Sequence, residues 1–269
     1  MIHLLAPRLR VEERLLMQAF AERGREAVLL DAKTLSLPLN DVPEGIAAVV
    51  LDRDVATGDR AVLGALLAAN GAVVINRTAT TRLLADRLAL VRHLVLAGVS
   101  VPETVVAFGE DAAIAAAQRI AKPVRIMAQQ VTPWLPDAVA ADDDAAEAVI
   151  EHRATLAHET LVLVQHAPVG AAWRAAVVGD EVVAVGALTA EGFGASDDAP
   201  VGIQVVVEQV VSRLGTGVYA VDVVETPAGP VVTGAGNLIE FRTLQQAGVD
   251  VAGRIAAFTL SQIDGGSSV

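Results

Sequence analysis

The chain has 269 residues, enough to bury a large core split into two or three small domains. Hydrophobic residues make up 53% of it and the mean hydropathy is +0.50, yet the apolar runs are short (Ala47–Leu51, Ala72–Ile75, Leu161–Val164), well below the roughly 18 uninterrupted residues of a membrane span. With 20 basic against 32 acidic residues, a formal charge of -12, no cysteine and 3% aromatic residues, the composition excludes a nucleic-acid binder, a disulfide framework and a thiolate metal site.

Strands and helices alternate from the start. His3–Ala6 is expected as a strand, and Glu12–Arg23 as a helix with Leu15, Leu16, Ala19 and Phe20 on one stripe, stopped by Gly24. Ala27–Leu30 follows as a strand, then a loop over Leu35–Gly45 and a strand at Ala47–Leu51. Asp59 is expected to cap a helix reaching Asn70, with Gly71 ending it and Ala72–Ile75 closing a small parallel sheet. A second region opens with a helix over Ala85–Ala97, ended by Gly98. It continues with strand Thr104–Phe108, an alanine-rich helix Asp111–Ile120 and strand Lys122–Met127. A helix then opens at Asp142, Asp143 and Asp144, whose charges suit the N-terminal dipole, and strand Leu161–Gln165 follows. The third region holds a hairpin, Trp173–Val178 with Glu181–Leu188, across Gly179-Asp180. Helix Val201–Leu214, strand Tyr219–Val224, its partner Val231–Thr233 and a last helix Val251–Ile263 complete it. Gly265–Val269 is expected to be disordered. The opening MIHLLAPRLR is too short in apolar residues for a signal peptide, so a soluble cytoplasmic protein is expected.

Several function classes lack their residues. The first strand-to-helix turn, Ala6-Pro7-Arg8-Leu9-Arg10, has no glycine, and Gly215-Thr-Gly217 and Gly234-Ala-Gly236 lack the third glycine of a dinucleotide fingerprint. There is no phosphate loop with Gly-Lys-Ser/Thr and no Gly-x-Ser-x-Gly elbow. His3, His93, His152, His158 and His166 show no metal-ligand spacing. Trp134, between two prolines, is expected to pack or cap a loop.

Seven short strings, in order and over nearly the whole chain, resemble the RimK/LysX family of ATP-grasp carboxylate–amine ligases. They are Pro7-Arg-Leu-Arg10 with the helix after it, Val74-Ile-Asn76-Arg77, Asp86-Arg87-Leu88, Ala97-Gly-Val-Ser-Val-Pro102-Glu-Thr104, Lys122-Pro123-Val124, Tyr219-Ala-Val-Asp222, and Glu240-Phe241-Arg242 with Gly248-Val-Asp250-Val-Ala-Gly253. The resemblance implies an α/β (α+β) fold: an N-terminal parallel-sheet unit (residues 1–77) and two αβ ATP-grasp subdomains (78–168 and 169–269) enclosing a cleft. It also implies a chemistry in which ATP phosphorylates a carboxylate and an amine displaces the phosphate, with Mg²⁺ and basic groups neutralising the phosphoryl charge.

Carried over residue by residue, the resemblance gives Arg174 as the catalytic arginine at the triphosphate, and Arg87, Lys122 and Arg174 as ATP-binding cations. Asp222 becomes the first metal carboxylate. Arg87 replaces a lysine. The glycine-rich loop that follows the family's Lys-Pro is replaced by Arg125-Ile-Met-Ala-Gln-Gln-Val-Thr-Pro133-Trp134, and no glycine occurs between Gly109 and Gly170. The family's Gln-Glu is Gln165-His166. The remaining metal ligands, Glu and Asn, are Gly234 and Gly236, which leaves Asp222 as a relict. ATP and Mg²⁺ are therefore expected to bind weakly or not at all, and Asp222 to pair with Arg174 or another base. An active ligase would need substitute carboxylates such as Glu225 or Glu240. The alternative is a non-catalytic paralogue, a homo-oligomer holding a small molecule or acting beside an active ligase in amino-acid biosynthesis. A small-molecule or carrier-protein substrate fits the ligase reading, and neither nucleic acid nor membrane is an expected partner.

Overall fold

A computed structural model describes residues 1–39, 45–157, 161–189, 192–194 and 199–264. The expected disordered tail Gly265–Val269, His158 and part of the expected loop Leu35–Gly45 lie outside the described residues. Three separate sheets carry the chain.

The first is built from β1 (Ile2–Leu5), α1 (Val11–Ala21), β2 (Ala27–Leu30), β3 (Val49–Asp52), α2 (Gly58–Ala69) and β4 (Val73–Ile75). Its order is β2-β1-β3-β4 and every pairing is parallel, as βαβ connections require. A capping box starts α1: the Glu13 carboxylate accepts from the Arg10 backbone N–H at 3.1 Å and from its Nε at 2.9 Å. The expected cap Asp59 is corrected to Thr57, whose hydroxyl accepts from Arg60 N at 3.3 Å, placing Asp59 in the first turn.

The helix expected over Ala85–Ala97 is α4 (Arg87–Leu96), and a further helix not expected from the sequence, α3 (Thr78–Ala85), precedes it, the two separated where Asp86 turns extended. Hydrogen bonding explains the break. One Asp86 oxygen caps α4 through Ala89 N at 2.9 Å, and the other accepts from the side-chain amides of Gln129 and Gln130 at 2.9 and 3.0 Å. The pull of those glutamines outweighs helix propensity at one residue.

Beyond α4 come β5 (Thr104–Phe108), α5 (Glu110–Arg119), β6 (Val124–Ala128), β7 (Ala138–Ala140), α6 (Asp143–Ala157) and β8 (Leu161–His166). The antiparallel order is β5-β8-β6-β7. Val124 and Ile126 of β6 and Val162 and Val164 of β8 enter a core under α5 and α6. The alternating residues Arg125, Met127 and Gln165 face the other way.

The last sheet comprises β9 (Ala171–Gly179), β10 (Glu181–Thr189), β11 (Gly192–Phe193), β12 (Gly217–Thr226) and β13 (Gly229–Gly236), in the order β11-β10-β9-β12-β13. Helix α7 (Val201–Leu214) covers one face, packing Val207, Val210 and Val211 near Tyr219, Val221 and Val223. The opposite face shares a core with the first sheet, where Ala176, Val178, Val218 and Ala220 meet Ile2, Leu4, Phe20 and Leu51. After β13 a short helix α8 (Arg242–Gln246) leads to α9 (Val251–Asp264), which buries Ile255 and Ala256 in that core. Buried Asn76 ties the two sheets, accepting from Val218 N at 2.5 Å and donating to Val218 O at 2.8 Å. The residue before Val218 must be glycine: a Cβ on Gly217 would stand 2.5 Å from the Asn76 oxygen.

Candidate functional site

The helix-free face of the central sheet and the part of the C-terminal sheet around Arg174 and Asp222 border a cleft of about 350 Å³. β6 and β8 supply Arg125, Met127 and Gln165, and β9, β12 and β13 supply Arg174, Asp222 and Thr233–Gly236. Val55 and Ala56 after β3, and Leu84, Arg87, Leu90 and Val91 of α3 and α4, close one wall.

Strand register sets the centre of the site. Arg174 of β9 lies directly opposite Asp222 of β12, and Asp222 directly opposite Gly234 of β13. Side chains opposite one another share a face about 5 Å apart at Cβ, so arginine and carboxylate meet without distortion. They form a two-pronged pair, Arg174 Nε to Asp222 Oδ1 at 2.6 Å and Nη2 to Oδ2 at 2.9 Å. The Asp222 hydrogen bond, more than its charge, raises the Arg174 pKa against the opposing effect of burial.

A family-type Mg²⁺ does not fit this donor set. Both Asp222 oxygens already bind a guanidinium, and Gly234 and Gly236 offer no side-chain oxygen. Among the described residues no three of His, Asp and Glu come together as a metal site. Glu225 pairs at the far end of β12 with Pro230, and Glu240 lines a separate depression with Arg242. Neither of these candidate substitutes lines the cleft.

Of the two other expected cations, one reaches the cleft. Arg87 lines it with its Nη2 2.9 Å from Asp137 and its Nη1 donating to Ala128 O and Gln130 O. Lys122 is not among the lining residues. Its Nζ sits 2.6 Å from Asp143 and donates to Ala117 O at 2.6 Å, at the end of α5 and the start of α6. The segment after β6, where a phosphate loop is expected by resemblance, is held onto the α3–α4 break. Arg87 N donates to Gln129 O at 2.8 Å and Val131 N to Ala85 O at 2.9 Å. Trp134, expected to pack or cap, is corrected: it is 80% exposed. His166 Nδ1 contacts Ala121 O at 2.8 Å, so its ring is engaged by the backbone outside the cleft.

Two further cleft residues, Arg125 and Asn237, carry no role in the sequence reading. Arg125 is half-buried. Asn237 is 1% exposed, accepts from Asn76 Nδ2 at 3.0 Å, and leaves its own Nδ2 without a partner. The strict alternation Val124-Arg125-Ile126-Met127 contained the signal for Arg125, since a charged residue between core valine and isoleucine must face away from the helices.

Replacing Asp222 with asparagine should leave the Arg174 guanidinium without its anion. The pair is a fifth to a third exposed, so the expected destabilisation is about 1–2 kcal/mol, below that of a fully buried pair. Urea unfolding of the parent and Asp222→Asn checks this; equal midpoints would show that the pair is energetically silent.

Residues 2–83 match the family described as LysX preATP-grasp domain. The structure superposes on a RimK domain protein ATP-grasp from Sphaerobacter thermophilus DSM 20745 with a TM-score of 0.91 and 49% sequence identity, covering 96% of this chain and 98% of that one. It also superposes on the ATP-grasp ligase PsnB complexed with minimal precursor, Mg and ADP (TM-score 0.69, 17% identity, 97% of each chain). A third similar structure is D-alanine–D-alanine ligase from Bacillus anthracis (TM-score 0.71, 11% identity, 97% of this chain and 96% of that chain). At these last two identities the likeness is one of fold.

Proposed function

Because the chain belongs to the RimK/LysX-type ATP-grasp family, we propose that it keeps the ligase architecture while its Mg-ATP chemistry is weakened or lost, leaving a cleft that receives a small molecule without a metal. The observation that carries this reading is the Arg174–Asp222 pair beside Gly234. In an ATP-grasp ligase the arginine stabilises phosphoryl charge and the carboxylate holds the metal. Here each group satisfies the other, so nucleotide binding would first have to break a two-pronged ion pair.

The surroundings support the same reading. Asp137 neutralises Arg87, and Asp143 engages Lys122 away from the cleft, so with Arg174 on Asp222 all three cations expected to meet the triphosphate have carboxylate partners. The glutamine segment after β6 is held against Asp86 by its side-chain amides and carries no glycine that would let backbone N–H groups come close to phosphate.

Calorimetric titration tests the proposal. Mg-ATP is expected to bind more weakly than about 1 mM, some 4 kcal/mol short of a micromolar site. Micromolar binding that depends on magnesium would overturn it and restore the reading of an active carboxylate–amine ligase. In the same assay Asp222→Asn should leave any residual ATP turnover unchanged.

A further inference from the structure

Charges in the cleft do not cancel. Arg87 has Asp137 and Arg174 has Asp222, but Arg125 has no ion-pair or hydrogen-bond partner among the described residues. A half-buried guanidinium directed into a cleft, in a chain of net charge -12, is an uncommon arrangement. Its neighbour across the β6–β8 ladder is Gln165. Gln165 is 1% exposed, and its Nε2 donates to Thr104 Oγ1 at 2.9 Å, which fixes the amide and leaves Oε1 without a donor. The site thus holds one unneutralised cation with one unsatisfied buried acceptor beside it. Leu84, Leu90, Val91, Met127 and Leu238 supply apolar walls.

We infer that the cleft binds a small aliphatic α-hydroxy monocarboxylate, its carboxylate on Arg125, its hydroxyl donating to Gln165 and its hydrocarbon body against the apolar wall. Each part follows from the chemistry of the lining. A planar guanidinium matches a carboxylate in two-pronged geometry. One net positive charge calls for a monoanion; a phosphate dianion would leave a surplus negative charge near Asp137 and Asp222. The hydroxyl belongs on the carbon next to the carboxylate because Gln165 sits directly across from Arg125, where side chains on one face stand about 5 Å apart. A volume of about 350 Å³ suits a metabolite-sized ligand.

This inference rests on the reading that Mg-ATP does not fill the cleft, and one set of titrations separates the two. The probes are α-hydroxyisocaproate, isocaproate, inorganic phosphate and Mg-ATP, the first three in the presence of EDTA. α-Hydroxyisocaproate is expected to bind saturably and at least about fivefold more tightly than isocaproate, as one charge-free hydrogen bond to a buried acceptor implies. Arg125→Gln should weaken it by at least about tenfold, and Arg125→Lys by less. Circular dichroism of Arg125→Gln excludes misfolding, and Leu90→Phe, which narrows the apolar wall without touching charge, should also weaken binding. Absence of saturable binding at concentrations on the order of 10 mM, equal affinity in Arg125→Gln, or phosphate binding more tightly than the hydroxy acid would each overturn the inference. Micromolar Mg-ATP binding would overturn the functional reading beneath it. Weak Mg-ATP together with no hydroxy-acid binding would overturn this inference alone.

Discussion

Mn²⁺ is expected to bind a Gly234→Glu/Gly236→Asn double variant at least about tenfold more tightly than it binds the parent, a gain of about 1.4 kcal/mol or more. The backbone is already arranged for it. Gly234 stands opposite Asp222 in the β12–β13 ladder and Gly236 opposite Ala220, so the two positions alternate onto the face that lines the cleft. A Cβ built on either glycine meets no atom within 4 Å, and neither has the positive φ that would penalise a side chain. A glutamate beside Asp222 adds a second carboxylate to the site, and an asparagine two residues on adds a neutral oxygen. Together they make up the oxygen-rich donor set a hard divalent cation needs. The metal must then compete with Arg174 for Asp222, which limits the gain and supplies a control. Adding Asp222→Asn to the double variant should remove most of it, whereas Arg174→Gln should increase it. Magnesium-dependent ATP binding should appear in parallel but stay weak, because the glutamine segment after β6 still lacks glycine. If Mn²⁺ titrations of parent and double variant coincide, the missing ligands are not what keeps metal out of the parent.

How far the sequence reveals this arrangement depends on the range of the interaction involved. Short apolar runs bounded by glycine mark the strands of all three sheets, because burial on both faces leaves a signature within a few residues. The start of α4 is local, since Asp86 caps it through Ala89 N, but the separate helix α3 before it was not read, and Gln129 and Gln130, more than forty residues on, also hold the aspartate at the junction. Strand β7, Ala138–Ala140, has no propensity of its own and forms because Ala138–Ala140 pairs with Val124–Ile126. The direct pairing of Asp222 with Arg174 was legible, since a carboxylate in an apolar strand needs a cation and the resemblance supplied one on a neighbouring strand. Lys122 was harder to place. Its proline neighbour fits the family string, but the acidic start of α6 that engages it reads as ordinary helix capping. The Arg125 guanidinium and the Gln165 acceptor were written in the alternation of β6 and β8, yet their isolation from any partner is a tertiary property that no spacing rule reports.

Stability should fall as pH rises from about 4 to about 7, and Asp52→Asn should abolish much of that slope. Asp52 ends β3 with 4% of its surface exposed, and its Oδ1 accepts from Asp54 N at 3.1 Å. Burial pushes its carboxyl up to about 7; the attraction of Arg60 and Arg53 and the hydrogen bond from Asp54 offset only part of this. Each arginine is committed elsewhere. Arg60 pairs with Asp54, while Arg53, fully buried, has its Nε 3.5 Å from Glu13, donates to Ile239 O at 2.9 Å and lies 5.4 Å over the Phe241 ring. The unfolded chain releases the Asp52 proton near the ordinary carboxylate value of 3.8 and the folded chain near 7. Between those values the folded state binds more protons, so the contribution is fully present below about 4, lost through the interval and flat above it. A shift of about three units at 1.36 kcal/mol each gives at most about 4 kcal/mol. Asparagine keeps the shape without the ionisation, so Asp52→Asn should gain in melting temperature relative to the parent between pH 5 and pH 8, by about 5–10 °C for a chain of this size. Asp52 begins the turn that carries Val55 and Ala56 into the wall of the cleft. A difference between variant and parent that is constant from pH 5 to pH 8, or a variant less stable at pH 8, would show that the two arginines hold Asp52 ionised in the folded protein.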